Sequence, residues 1–215
     1  PETGAMATGP ADVNGTKYCF ASNGAMVSGG WDLDGSDWYY ADSSGALVTG
    51  WVKAGSWYYM DPVTYKMARG LQEIGGTKYF FNKDSGAMTV GWGLDSDGSW
   101  YWGTSSGALA TGWVKAGSWY YMDPETYKMR TGWLELGPSE SPTRYYLTGS
   151  GAMVSDNWVL DGPDWYYADG SGSTAKGWRY VRGSWYYLDP ETGIMRTGWL
   201  ELSGTRYYLG ANGAM

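Results

Sequence analysis

The sequence predicts an all-β chain, a β-hairpin solenoid built from repeats of about twenty residues grouped into a super-repeat of about sixty. Three observations carry this. The chain repeats itself in register, each repeat holds an aromatic run, and glycine-rich turn signals flank each run on both sides. A run such as Ser56-Trp57-Tyr58-Tyr59-Met60 alternates, so Trp57 and Tyr59 face one side of a strand and Tyr58 the other. Lys53-Ala54-Gly55 before it and Asp61-Pro62 after it supply turns, as Asp34-Gly35, Asp97-Gly98 and Asp161-Gly162 do elsewhere. A lone hairpin is marginal in water, and stacking the next one on it buries the rings. No helical periodicity competes.

The elements follow in order. Residues 1–9, PETGAMATG, match Pro190 to Gly198, PETGIMRTG, so they form a partial repeat. The same tetrapeptide inside the array makes PETG repeat sequence rather than a sortase signal. Repeats then start near residues 10, 30, 50, 70, 91, 112, 132, 157, 177 and 198, giving one array over residues 1–215 that reads as a fragment of a larger protein. Three classes alternate. The first includes GWDLDGSDWYYADSSGALVT from Gly30, with counterparts from Gly91 and Asn157. The second includes GWVKAGSWYYMDPVTYKMAR from Gly50, with counterparts from Gly112 and Gly177. The third includes GLQEIGGTKYFFNKDSGAMTV from Gly70, with counterparts from Ala11, Gly132 and Gly198.

Composition narrows the function. The chain has 215 residues, a formal charge of −7, 35 glycines, 15 tryptophans, 20 tyrosines, one cysteine and no histidine. Leu, Ile, Val and Phe are only 28 of the 215 residues, a level typical of disordered chains. Large rings reverse that reading and predict an aromatic core, since each can bury roughly 150–250 Å². Without histidine there is no Ser-His-Asp triad, Cys-His pair or HExxH zinc site. A single cysteine closes no internal disulfide, and a net acidic chain lacks the basic footprint of a nucleic-acid binder. No apolar run is long enough to span a membrane. The chain is read as non-catalytic, with no cofactor and no metal site. Asp61 and Glu73 lack the enclosed setting of a glycosidase pair. The DLDGSD segment (Asp32, Asp34, Asp37) lacks the distal glutamate of a calcium loop and reads as a solvated turn. Asn14-Gly15-Thr16 reads as a turn, and Cys19, at the position of Phe80, as an apolar substitute.

Gly-Trp, then Gly-Ser-Trp-Tyr-Tyr, then Gly-Ala-Met or Lys-Met-Arg-Thr-Gly-Trp resembles the choline-binding, or cell-wall-binding, repeat family over essentially the whole chain. Related repeats in glucan-binding enzymes and clostridial toxins look similar and bind carbohydrate. The resemblance implies cages between successive hairpins, made of two Trp of one repeat, an aromatic of the next, and often a Met. Ring faces suit a quaternary ammonium, which has no hydrogen to donate. Carried across, the pattern names Trp113, Trp119, Met129 and Tyr146; Trp178, Trp185, Met195 and Tyr208; and Trp51, Trp57, Met67 and Phe80. With no Met in the matching place, it also names Trp31, Trp38 and Tyr59; Trp92, Trp100 and Tyr121; and Trp158, Trp165 and Tyr187. At those three the Met position holds Leu47, Leu109 and Thr174. In the third class the second Trp becomes Lys17, Lys78, Arg144 or Arg206, and the expectation is no choline there, with each cation stacked on a ring or bonded to a sugar or phosphate.

The implied function is attachment to a bacterial cell surface by a secreted protein, through choline or phosphocholine on teichoic acid or another wall polysaccharide. No nucleic acid and no membrane span are expected, and a homodimer is open to it. The alternatives are an oligosaccharide-binding array and a structural spacer or self-association module.

Overall fold

The computed structural model describes residues 5–215; residues 1–4, where the partial repeat begins, lie outside them. The chain is all-β and contains ten antiparallel two-stranded hairpins among the described residues. Five lie in a first compact unit ending at Ala110. They pair β1 (Gly9–Val13) with β2 (Thr16–Phe20), β3 (Gly30–Asp34) with β4 (Asp37–Ala41), β5 (Gly50–Ala54) with β6 (Ser56–Met60), β7 (Gly70–Ile74) with β8 (Thr77–Phe81), and β9 (Gly91–Leu94) with β10 (Trp100–Gly103). Five more lie in a second unit starting at Thr111. They pair β11 (Gly112–Ala116) with β12 (Ser118–Met122), β13 (Gly132–Leu136) with β14 (Thr143–Leu147), β15 (Asn157–Asp161) with β16 (Asp164–Ala168), β17 (Gly177–Val181) with β18 (Ser184–Leu188), and β19 (Gly198–Leu202) with β20 (Thr205–Leu209).

Turn chemistry fixes the register. Asn14 and Gly15 close the first hairpin at φ 54° and 83°, both in the left-handed region that an Asn-Gly turn supplies at low cost. In β5–β6, Trp51 faces Tyr59 and Lys53 faces Trp57. Paired residues share a face, so one side of the hairpin carries both tryptophans and Tyr59. The other side carries Val52, Tyr58 and Met60, of which Val52 and Met60 are buried.

The expectation of an aromatic core needs correction. The most deeply buried large side chains are Met60, Met122, Leu147, Leu188, Leu209, Phe80, Phe81 and Cys19, with no Trp or Tyr among them. Six of the eight, Phe81 included, occupy the last position of a hairpin's second strand, which faces the interior line of the stack. The indoles are half-buried or exposed instead, and most phenols are half-buried.

Successive hairpins are tied by the linker that follows each one. Met67 N–H donates to the Trp38 carbonyl at 2.8 Å, one hairpin back, and Met88 N–H to the Trp57 carbonyl at 2.7 Å. In the second unit, Met153 bonds Trp119, Thr174 bonds Arg144 and Met195 bonds Trp165, each at 2.8 Å. This ladder places the residue after one hairpin against the ring of the hairpin before it.

Candidate functional site

Each aromatic junction starts from a pair of indoles on one hairpin. Their positions lie diagonally across the two strands, which sets the rings edge to face. Trp31 and Trp38 sit 6.3 Å apart at 88°, Trp51 and Trp57 6.3 Å at 89°, and Trp113 and Trp119 6.5 Å at 85°. Trp158 and Trp165 follow at 6.4 Å and 85°, and Trp178 and Trp185 at 6.4 Å and 88°. Two walls thus meet nearly at right angles.

The third wall is the middle tyrosine of the next hairpin. Tyr58 reaches Trp31 at 4.7 Å, Tyr79 reaches Trp51 at 4.9 Å, and Tyr145 reaches Trp113 at 5.0 Å. Tyr186 and Tyr207 do the same to Trp158 and Trp178, at 4.8 and 5.0 Å. The fourth wall is the methionine delivered by the linker ladder. Trp31, Trp38, Tyr58 and Met67, with Asp84 and Ser85 on the rim, enclose a cavity of about 270 Å³. Trp51, Trp57, Tyr79, Met88 and Ser106 line an equal one, as do Trp113, Trp119, Tyr145, Met153 and Ser171. Trp158, Trp165, Tyr186 and Met195, with Ala211 and Asn212, line one of about 260 Å³. Such volumes fall just below the range of drug-sized pockets and suit a small ligand.

The structure brings every sequence-named indole pair together. Trp92 and Trp100 also pair, at 6.0 Å and 87°. Their named companion Tyr121 lies in the second unit, 5.2 Å from Trp113 on its own hairpin. Tyr59, Tyr146, Tyr187 and Tyr208 likewise stand against the tryptophan of their own hairpin, Trp51, Trp133, Trp178 and Trp199. Phe80 is buried and stacks on Tyr101 at 5.0 Å and 18°. The reason is the pleat: the phenol that reaches the preceding hairpin must sit on the opposite face from its own indoles, which is the middle position. The methionines also shift by one repeat. Met67 walls the Trp31 cavity and Met195 the Trp158 cavity, while Met129 packs against Gly151. Met88 and Met153 therefore join the cavities of Trp51 and Trp113, which sequence reasoning missed.

Glycines support these methionines. Gly86 lies so close to Met67, and Gly172 to Met153, that an added Cβ would fall 2.3 and 2.4 Å from the thioether groups. Both glycines also hold positive φ, 70° and 85°, in the linker one hairpin beyond that of the methionine. Asp or Asn heads most linkers. Asn82 accepts N–H bonds from Asp84 and Ser85, and Asp123 from Thr126 and Glu125. The Thr126 N–H, followed by the Arg130 guanidinium, pulls the Asp123 carboxyl down to about 2. Asp61 and Asp189 are lowered in the same way, led by the N–H groups of Thr64 and Thr192. Asp61 is thus committed to a loop, as is Asp37 to an ion pair with Lys66 at 2.7 Å. Cys19 is fully buried and donates its thiol proton to Asp32; burial first, then this bond, raises its pKa to about 12.

The junctions from third to first class differ. Their incoming tyrosines, Tyr39, Tyr101 and Tyr166, are only 5%, 2% and 8% exposed. Three of the cations of this class sit on rings: Lys17 Nζ lies 4.7 Å from the Tyr65 centroid, Arg144 Cζ 4.3 Å from that of Trp133, and Arg206 Cζ 4.9 Å from that of Trp199.

Two family models match four stretches of this chain. A choline-binding repeat matches residues 175–215, and a putative cell wall binding repeat matches residues 29–47, 70–88 and 156–173. Among solved structures, CbpJ from Streptococcus pneumoniae TIGR4 is similar at 29% identity and TM-score 0.77, over 97% of this chain and 87% of that one. Choline binding protein F from Streptococcus pneumoniae, in the presence of a peptidoglycan analogue, is similar at 28% and 0.75, over 97% and 86%. The same protein in complex with ipratropium matches at 27% and 0.61, over 97% and 92%. A search of curated proteins finds no match.

Proposed function

The chain is built of choline-binding repeats, and from that premise we propose that its open junctions bind the choline groups of cell-wall polymers such as teichoic acid, holding a secreted protein on a bacterial surface. One observation carries the reading: a perpendicular indole pair is closed by a tyrosine and a methionine, and this box recurs with nearly constant geometry along the chain. Its walls offer ring faces and a thioether. A trimethylammonium group is compact, cationic and without N–H donors, so it gains from each face by roughly 0.5–2 kcal/mol. The chain's own lysines illustrate the attraction: Lys53 and Lys115 each lie 5.3 Å over the rings of Trp57 and Trp119.

The geometry favours choline over a sugar. A sugar ring stacks flat on one aromatic face and needs donors and acceptors around its edge. Here each indole is met by another at a right angle, which leaves no broad flat platform, and the rim of the Trp31 cavity adds the Asp84 carboxylate, which favours a cation. Single sites of this kind are weak, and several on one polymer hold by avidity. The module binds and does not catalyse.

Calorimetric titrations with choline, tetramethylammonium, maltooligosaccharide and NaCl test this. Saturable heat with choline and tetramethylammonium, accompanied by a rise in melting temperature, is the expected result. Saturable binding of the sugar alone would replace choline by oligosaccharide recognition.

A further inference from the structure

The junction after β13–β14 is an aromatic box whose space is taken by the chain itself. Trp133 stands where Trp113 stands in the open junction, and Tyr166 where Tyr145 stands. The rings meet in the same way: Trp133 and Tyr166 are 4.7 Å apart at 68°, against 5.0 Å and 70° for Trp113 and Tyr145. Asp161 fixes the Trp133 indole by accepting its Nε1–H at 2.8 Å. Two walls of a cage are therefore intact.

Three coordinated replacements distinguish this junction from the open one. Arg144 stands in the place of Trp119, Glu135 in the place of Lys115 across the strand pair, and Thr174 in the place of Met153 on the linker ladder. The guanidinium lies over Trp133 at 4.3 Å and reaches Tyr166 at 5.7 Å. Its Nη1 donates to the Thr192 carbonyl at 3.4 Å, in the linker two hairpins on. Its Nε lies 3.0 Å from a Glu135 carboxylate oxygen. Arg144 thus touches the hairpin of its own indole, the next hairpin's tyrosine and the rim linker beyond. Those are the three layers that enclose the cavity in each open junction. Lys17 is placed alike: it lies over Tyr65, a non-glycine residue at φ 64° in the linker two hairpins on.

We propose that Arg144 is a built-in occupant of a further aromatic junction, and that this one cation, rather than the surrounding scaffold, bars an external quaternary ammonium from it. The inference rests on choline recognition at the open junctions, so the two are tested together but read separately. An R144W/T174M variant installs the two missing cavity walls of the open junction and leaves Glu135 in place; it should bind one more equivalent of choline than the wild type. R144A is the gentler test and removes only the plug. Tetramethylammonium should then move the Trp133 indole N–H resonance, identified by its loss in W133F, whereas in the wild type that resonance stays still. A folded R144W/T174M with unchanged stoichiometry, or R144A with a Trp133 resonance that stays still, would overturn the proposal while leaving the open cages standing. A wild type that binds no choline at any paired indole would overturn the cage reading, and a Trp133 response in R144A would still uphold the plug.

Discussion

The junction of Trp113, Trp119, Tyr145 and Met153 and the junction of Trp133, Arg144, Tyr166 and Thr174 are adjacent in the same unit and share one backbone plan. The first holds a cavity of about 270 Å³; the second holds a guanidinium and buries its tyrosine to 8% exposure. The scaffold therefore builds the same box at both junctions, and the side chain at the position of Trp119 or Arg144 decides whether it is offered or filled. Two other third-class junctions show a more thorough closure. Pro10 or Leu71 replaces the first indole, and Cys19 or Phe80 is buried beneath Tyr39 or Tyr101.

Truncating the two equivalent tyrosines should separate the roles most sharply. Tyr166→Ala empties a packed position and should cost about 3–5 kcal/mol, as large aromatic truncations in cores do, with choline stoichiometry unchanged. Tyr145→Ala should cost less stability and remove one choline equivalent. Denaturant melts and calorimetry on both variants check this, and equal stability costs would break the comparison. Next in size, Trp119→Ala opens one wall of its cage and should weaken that site by at least about tenfold, the equivalent of roughly 1.4 kcal/mol.

Smaller effects sharpen the role of the methionine. Gly172→Ala places a methyl group against Met153 in a left-handed backbone position, so it should lower both the melting temperature and the affinity of the Trp113 cage. The same change at Gly117, whose added Cβ meets nothing within 4 Å, should lower only the melting temperature. The smallest effect is acid sensitivity of the linkers. The carboxyls of Asp61, Asp123 and Asp189 lie below their ordinary value in the folded chain, so their ionised forms stabilise it. That contribution is complete above about pH 4 and fades as pH falls toward about 2. Melting temperature against pH should bend in that window, and Asp123→Asn should flatten the bend.

Much of this was legible in the sequence. The aromatic runs and flanking glycines dictated the hairpins, and the Gly-Trp spacing placed both indoles on one face. The choice of tyrosine was harder. Tyr59 and Tyr146 follow the tryptophans as closely as Tyr58 and Tyr145 do, and only stacking shows that a hairpin between two cages must turn opposite faces to them. The methionine was hidden more deeply. Met67 closes the same sequence line as Trp51 and Trp57, yet its N–H bonds to the Trp38 carbonyl, one hairpin back. That bond is a property of the stack, invisible in any single repeat. Reading Leu47, Leu109 and Thr174 against Lys17, Lys78 and Arg144, the carbonyls they bond, shows cation and non-methionine side chains exchanged together.

Residue-resolved indole N–H spectra during a choline titration test the central claim most directly. The account predicts saturable shifts at Trp31, Trp38, Trp51, Trp57, Trp113, Trp119, Trp158 and Trp165, with Trp133 unmoved beneath Arg144. Shifts at Trp133 as large as those of the paired indoles, or no shift at the pairs, would contradict it.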